Sequence, residues 1–141
     1  MKPVEMLIVE DNWGDVVLIK EAMKEAGLSY NVTVANDGVE AMEFLHRSGK
    51  YSEVPRPDLI VLDLKLPRKN GREVFDEIKP DPELSKIPLI FLSSSKSELE
   101  IARAYGLPAE CYIAKPGTFD GYINLVKAID AFRQKATKEK S

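Results

Sequence analysis

Short apolar runs alternate along this chain with longer segments in which apolar residues recur every three or four positions. The short runs predict β-strands, because a brief unbroken apolar run is typical of a strand that is covered on both faces. The predicted strands are 4–9, 31–35, 58–63, 88–92 and 110–114. The predicted helices are 15–26, 37–47, 71–79, 96–105 and 118–136. Five strands, each followed by a helix, favour an α/β fold with a mostly parallel sheet.

Residues at the ends of these segments support the boundaries. Asp37 suits the N-cap of the second helix, and Gly27 and Gly106 suit the turns that end the first and fourth helices. The residues at 135–141 are polar and follow the last amphipathic segment. We therefore expect a single domain over 1–134 and a polar C-terminal tail that frays.

Composition and charge exclude several classes of protein. The chain is 44% hydrophobic and 30% charged, which is typical of a globular domain. Its net charge of −3 argues against sequence-independent binding to nucleic acid, which needs a concentrated basic surface. The single cysteine, Cys111, excludes an internal disulfide, and no apolar run approaches the ~20 residues that span a bilayer. We therefore expect a cytoplasmic protein without membrane or nucleic-acid partners.

The predicted strands end on polar residues that together suggest a functional site. The first strand is followed by Glu10 and Asp11, the third ends at Asp63, the fourth is followed by Ser93 and the fifth by Lys115. Parallel α/β sheets carry their sites at the carboxyl ends of the strands, so these side chains should meet at one edge.

Three carboxylates at one edge need positive charge. Two unit charges ~4 Å apart repel by about 4 kcal/mol at an effective dielectric constant of ~20. Lys115 supplies one positive charge and a divalent cation would supply two. Oxygen ligands suit Mg²⁺, with Mn²⁺ as the alternative ion, and the single histidine, His46, excludes a histidine-rich transition-metal site.

A carboxylate cluster, a lysine and a serine hydroxyl are suited to phosphoryl chemistry. The metal and the ammonium neutralise the oxygens of the transferred group, and the hydroxyl donates a hydrogen bond to one of them. Asp63 lies centrally and is the candidate nucleophile, which would form an aspartyl phosphate. Glu10 and Asp11 would then hold the metal.

These residues, in this order, resemble the receiver domain of two-component response regulators. The resemblance covers residues 4 to 133 and includes the acidic pair, Asp63 with its following Leu-Pro and Gly71, then Ser93 and Lys115-Pro116. It implies a doubly wound, flavodoxin-like three-layer sandwich of five helices around a parallel sheet with strand order 2-1-3-4-5. The stretches EDNWGD, PRPDLIVLDLKLPRKNGREV and ELSKIPLIFLSSS are most similar to stand-alone receivers of the cyanobacterial phytochrome type.

The resemblance implies a role for each residue of the acidic half of the site. Asp63 would be the phosphoacceptor and also a metal ligand. Asp11 would bind the metal directly, Glu10 would bind it through water, and the backbone carbonyl of Lys65 would be a further ligand.

The resemblance also implies roles on the last two strands. Ser93 and the adjacent Ser94 would belong to the phosphoryl-binding and switch region, and Lys115 would contact phosphoryl oxygens. Tyr112 matches an aromatic switch position whose ring turns inward when the hydroxyl at 93 moves. Pro116 would follow Lys115 in a cis peptide bond, an option specific to proline.

The implied function is a signalling switch and not an enzyme with its own substrate. A sensor histidine kinase, of the phytochrome photoreceptor type for this subgroup, would phosphorylate Asp63. No output domain follows residue 133, so we expect a stand-alone regulator that acts through protein–protein contact in a phosphorelay. The face formed by the fourth helix, fifth strand and fifth helix is the candidate homodimer surface.

Other interpretations remain open at this point. A haloacid dehalogenase-type phosphatase also uses a strand-end aspartate, but it needs a second aspartate where this chain has Lys65. A flavodoxin-like flavin binder would need a neutral phosphate loop in place of EDNWGD. A receiver that works without phosphate is a third alternative. Glu10 and Asp11 could also simply cap the first helix, Ser94 could be an ordinary loop serine, and Tyr112 an ordinary strand aromatic.

Overall fold

Five parallel strands form one sheet at the centre of the molecule. The computed structural model describes residues 3–140, except for the side chains of residues 139 and 140. The strands are β1 (Val4–Val9), β2 (Tyr30–Ala35), β3 (Leu59–Asp63), β4 (Leu89–Ser93) and β5 (Tyr112–Ala114). Their order is β2-β1-β3-β4-β5, which confirms the predicted topology.

Helices cover both faces of the sheet and give the predicted three layers. They are α1 (Trp13–Glu25), α2 (Gly38–Leu45), α3 (Gly71–Ile78), α4 (Lys96–Ala102) and α5 (Phe119–Lys140). Strand residues alternate between two apolar clusters, because successive side chains of a strand point to opposite faces. Leu7 and Ile60 face α2, α3 and α4, whereas Ile8 and Val61 face α1 and α5.

Short polar side chains fix where the first four helices begin. Asn12, Asp37, Asn70 and Ser95 each accept a hydrogen bond from the backbone N–H three residues further on. Such caps satisfy donors that a helix leaves unpaired at its N-terminus. The Asp37 cap confirms the sequence prediction, and α1 begins two residues earlier than predicted.

Three boundaries near the C-terminus differ from the predicted ones. The strand β5 begins only at Tyr112, because residues Ala109–Cys111 form a 3-10 turn after Pro108. The helix α4 stops at Ala102 and continues as a 3-10 turn that Gly106 closes with a φ of 85°. The helix α5 continues to Lys140, so the residues expected to fray are helical as far as 140, and Ser141 lies outside the described residues.

The sheet register brings the strand ends to one edge. Asp63 lies opposite Leu92 of β4, and Ser93 lies opposite Ala114 of β5. The Lys115 N–H then donates to the Ser93 carbonyl at 2.8 Å, which extends the pairing by one residue. Within residues 3–140, no helix has both the length and the apolar content that crossing a lipid bilayer would require.

Candidate functional site

The carboxyl ends of four neighbouring strands converge on one polar cluster. Glu10, Asp63 and Ser93 are the buried polar residues of the described chain, with 2%, 4% and 1% of their surface exposed. Asp11 is exposed beside them. Buried charged groups cost free energy unless they are paired. Their concentration at this edge therefore indicates a candidate functional site.

Lys115 lies at the centre of the cluster and contacts three carboxylates. Its Nζ is 2.6 Å from Glu10 Oε1, 2.7 Å from Asp15 Oδ2 and 2.8 Å from Asp63 Oδ2. Burial by itself would lower the pKa of this lysine, but its contacts with the Asp15, Asp63 and Glu10 carboxylates outweigh burial and raise it. The lysine is therefore held in its charged form.

The environment of Glu10 disfavours its charged form. Burial, followed by the neighbouring Asp63 carboxyl, raises the pKa of Glu10 to about 7. Its Oε2 accepts a hydrogen bond from the Asn12 N–H at 3.1 Å. Its Oε1 lies 2.6 Å from the Lys115 ammonium but accepts no hydrogen bond from the described part of the chain. A buried carboxylate oxygen in that position favours an additional cationic partner.

The acids have the spacing of a metal site. Glu10, Asp11 and Asp63 each offer a carboxylate oxygen, and these oxygens lie within 4.8 Å of one another. Hard oxygen ligands of this kind fit Mg²⁺ or Mn²⁺. The N–H of Lys65 donates to Asp63 Oδ1 at 2.8 Å, so the backbone at 65 is adjacent to the cluster. The role of the Lys65 carbonyl as a ligand stays a prediction.

The loop between β3 and α3 is fastened to the N-terminus of α2. Arg68 has a positive φ of 62°, and its guanidinium lies 2.9 Å from Asp37 Oδ2. Asp37 Oδ1 caps α2 through the Glu40 N–H at 2.8 Å. The loop backbone at Lys69 also packs so closely on Gly38 that any side chain at 38 would overlap the Lys69 carbonyl. This side of the loop that follows Asp63 is thus fixed by several independent contacts.

The Ser93 hydroxyl faces α4 and not Asp63. Its Oγ donates to Glu98 Oε2 at 3.4 Å and accepts from the Ser95 N–H at 3.0 Å. Glu98 also pairs with the Lys65 ammonium at 3.3 Å. Ser94 is exposed after β4, so its membership of a phosphoryl-binding set stays a prediction.

Tyr112 already points into the protein in this structure. The residue is buried, its ring stacks on Phe91 at a centroid distance of 5.8 Å, and its hydroxyl accepts from the Leu107 N–H at 3.1 Å. An inward ring is therefore compatible with a Ser93 hydroxyl that has not approached Asp63. A switching role for Tyr112 stays a prediction.

The prediction of a cis bond before Pro116 is wrong for this structure. Within residues 3–140 no peptide bond is cis, so the Lys115–Pro116 bond is trans. An X–Pro bond keeps an intrinsic preference for trans of about 0.5–1 kcal/mol. Lys115 reaches all three carboxylates with the trans bond, so no contact of the site requires the other isomer.

Two carboxylates that contact the cluster were not predicted from the sequence. Asp15 holds Lys115 and also accepts from the Tyr122 hydroxyl at 3.2 Å, and burial followed by Asp15 raises the pKa of Tyr122 to about 12. Glu98 connects Ser93 to Lys65. Both acids occupy the third position of a helix, after the caps Asn12 and Ser95. One sequence signal could have identified both residues: each is an acid in the first turn of a helix that follows closely after a strand.

Comparison with known proteins agrees with this geometry. Residues 6–129 match the family model described as the response regulator receiver domain. The response regulator Rcp1 of Synechocystis sp. is 38% identical over 130 residues, which cover 92% of this chain and 88% of Rcp1.

Two solved structures are similar in fold and sequence. The crystal structure of the phosphorylated cyanobacterial phytochrome response regulator RcpA has a TM-score of 0.83 and 42% identity, and the match covers 94% of this chain and 95% of RcpA. The Mn²⁺-bound form of Rcp1 has a TM-score of 0.80 and 38% identity, with 92% and 94% covered. This chain belongs to the response regulator receiver domain family of two-component signalling proteins.

Proposed function

We propose that Asp63 accepts a phosphoryl group from the phosphohistidine of a histidine kinase, in a reaction that depends on Mg²⁺. The observation that supports this most directly is the environment of the Asp63 carboxylate. One oxygen accepts from the Lys65 N–H and the other from the Lys115 ammonium, with Glu10 and Asp11 oxygens within 4.8 Å. The cluster thus offers a nucleophile, a cation and a set of metal ligands in one place.

In this proposal Asp11 and Asp63 hold the metal directly, Glu10 holds it through water, and the Lys65 carbonyl completes the protein ligands. The Glu10 Oε1, which accepts no hydrogen bond within the described residues, and the excess of negative charge support that assignment. When bound, Mg²⁺ supplies positive charge to the oxygens of the transferred group. Mn²⁺ meets the same ligand requirements.

The remaining chemistry belongs to the side chains. An Asp63 oxygen forms a bond to phosphorus as the bond from phosphorus to the histidine nitrogen breaks, and the imidazole leaves with the electron pair of that bond. Lys115 neutralises charge on the phosphoryl oxygens. The Ser93 hydroxyl turns from Glu98 to donate to one of these oxygens, which requires a rotation because its present acceptor lies on α4.

The proposed output is a change in a protein-binding surface. Members of this family are signalling proteins, and phosphorylation adds about −1.5 to −2 charge together with new acceptor oxygens. Ser93 lies on β4 and Tyr112 lies on the paired strand β5. Together they would connect the added charge to α4, β5 and α5. A homodimer through this face is the assembly that we propose, and Ile101, 66% exposed on α4, is an apolar residue available to it.

A phytochrome-type kinase is the proposed donor. The support for it is the similarity to RcpA, a cyanobacterial phytochrome response regulator, over 94% of this chain. Receiver domains in general take their phosphoryl group from histidine kinases. The domain assignment over 1–134, with 135–141 as an extension, stays a prediction.

The test is chemical phosphorylation. Incubation with acetyl phosphate and Mg²⁺ should add one phosphate group to the intact mass, and acid or base should remove it. The Asp63→Asn variant should gain no mass. The control is Asp76→Asn, which changes an exposed aspartate of α3 that pairs with Arg72 and should label like the wild type. Equal labelling of Asp63→Asn and wild type would falsify the assignment.

Dimer formation has a separate measurement. Sedimentation velocity with and without acetyl phosphate reports the proportion of dimer directly. We expect the phosphorylated protein to sediment faster. Replacing Ile101 with a charged residue should reduce this effect without preventing the mass increase.

A further inference from the structure

Glu98 makes two contacts that join the two sides of the Asp63 carboxylate. Its Oε2 accepts the hydroxyl of Ser93 at 3.4 Å, and its Oε1 lies 3.3 Å from the Lys65 ammonium. Ser93 is at the end of β4, Lys65 is two residues after Asp63, and Glu98 is in the first turn of α4. The Glu98 carboxylate therefore contacts one donor group on each side of Asp63, the candidate phosphoacceptor.

Neither contact is a tightly buried one. The Glu98 side chain is 29% exposed and that of Lys65 is 70% exposed. A partly exposed ion pair contributes about 0.2–1 kcal/mol. The long hydrogen bond from Ser93 is also weaker than one of ordinary length. The Glu98 contacts can therefore be exchanged without a large loss of stability.

The charge of Glu98 opposes the proposed reaction. A phosphodonor brings two or more negative charges to a site that already holds Glu10, Asp11 and Asp63. The open space beside the site has a volume of about 530 Å³, and Asp11, Lys65 and Glu98 are among the residues that line it. An anion that approaches through this space meets the Glu98 carboxylate, while the Lys65 ammonium that also lines the space is paired with Glu98.

We propose that Glu98 is a positioning residue for phosphoryl transfer, which withholds the Ser93 hydroxyl and the Lys65 ammonium until the arriving phosphoryl charge displaces its carboxylate. Release of Glu98 then frees one hydrogen-bond donor and one cation for the phosphoryl oxygens. Because Glu98 belongs to α4, the same displacement acts on the first turn of that helix. This inference rests on the proposed function of Asp63.

The principal test is the rate of labelling by acetyl phosphate in the Glu98→Gln variant. Glutamine keeps an acceptor for Ser93 but removes the charge and releases Lys65. We expect the second-order rate constant for labelling to rise by about threefold to tenfold at low ionic strength. We expect the gain to shrink as salt is added, since a partly exposed charge is screened. A purely structural role for Glu98 would give no such dependence on salt.

Two further variants make the result specific. In the Lys65→Met background the gain from Glu98→Gln should be smaller, because no ammonium is left to release. The matched control is Glu100→Gln, which removes the same charge from α4 where it pairs with Arg103 and not with the site. Its labelling rate should equal that of the wild type.

The outcomes separate the inference from the proposed function. If the wild type labels on Asp63 but Glu98→Gln labels no faster at any salt concentration, Glu98 has no positioning role and the phosphoacceptor assignment stands. If Glu100→Gln accelerates labelling equally, the effect is one of net charge and the inference fails. If the wild type does not label, both the proposed function and this inference fail.

Discussion

Lys115 Nζ lies 2.7 Å from Asp15 Oδ2, so the lysine that follows β5 is held by the first turn of α1 as well as by Asp63. The other oxygen of Asp15 accepts the hydroxyl of Tyr122, which belongs to α5. Asp15 therefore connects three elements at the point where the phosphoryl group is proposed to arrive. Asp15 was not among the predicted site residues, yet it helps to hold the Lys115 ammonium in place.

The contact between Asp15 and Lys115 predicts an energetic coupling. We expect Lys115→Met to lower the free energy of unfolding by about 2–4 kcal/mol, since it leaves Glu10 and Asp63 buried without their cation. In the Asp15→Asn background the same substitution should cost about 1–3 kcal/mol less. Urea denaturation of both single variants and the double variant measures this difference. As a control, the exposed Lys127→Met should be additive with Asp15→Asn, whereas additivity for the Lys115 pair would contradict the prediction.

The raised pKa of Glu10 predicts a pH dependence of stability in metal-free buffer. The ordinary pKa of 4.5 rises to about 7 in the folded protein, mainly through burial. Between these values the folded state binds more protons than the unfolded state, so the contribution of Glu10 is fully present below pH 4.5 and is lost as the pH rises through 7.

The measurement is urea denaturation of the wild type and Glu10→Gln across this range. We expect Glu10→Gln to become more stable relative to the wild type as the pH rises, by about 3 kcal/mol in all. A stability difference that does not vary with pH would mean that Glu10 is not held in an unfavourable environment.

The single tryptophan predicts an optical signal for metal binding. Trp13 begins α1 two residues after Asp11, and the N–H of the intervening Asn12 donates to Glu10. A metal that draws the acids together should move this short segment and change the environment of the exposed ring. We expect the fluorescence of the wild type to respond to Mg²⁺ and that of Asp11→Asn to respond much less. If calorimetry detects Mg²⁺ binding while the fluorescence stays flat, Trp13 is not linked to the metal.

The close approach of Gly71 to β3 predicts a large cost for a single methyl group. A Cβ at 71 would overlap the Asp63 carbonyl and lie 2.8 Å from Leu64 Cα. We expect Gly71→Ala to lower the free energy of unfolding by about 1–3 kcal/mol, through overpacking against backbone that cannot easily move. The same shift should slow labelling of Asp63. Gly117→Ala is the control, because a Cβ there meets nothing within 4 Å, and it should leave the stability almost unchanged.

The order of strands and helices was largely predictable from the sequence. Strands such as β3 and β4 are covered by helices on both faces of the sheet, and each therefore appears in the sequence as an unbroken apolar run. The limits of β5 were not, because Cys111 continues the apolar run of Tyr112–Ala114 but is drawn with Glu110 into a turn after Pro108. The convergence of Glu10, Asp63 and Lys115 was also predictable, since parallel strands end at one edge. The contacts of Asp15 with Lys115 and of Glu98 with Lys65 join elements distant in sequence, and a pattern along the chain does not specify such pairs.

The double role of Asp37 has a consequence for how the protein can respond. Asp37 caps α2 and binds Arg68, so the loop after Asp63 is anchored on the side of β1 and α2. On the other side, the Ser93 hydroxyl and the Lys65 ammonium both contact Glu98, at 3.4 Å and 3.3 Å. The contacts on the side of α2 resist displacement of this loop. Those on the side of α4 are a weak hydrogen bond and a partly exposed ion pair, which are more easily exchanged. We therefore expect a displacement that starts at Asp63 to pass more easily toward α4 than toward α2.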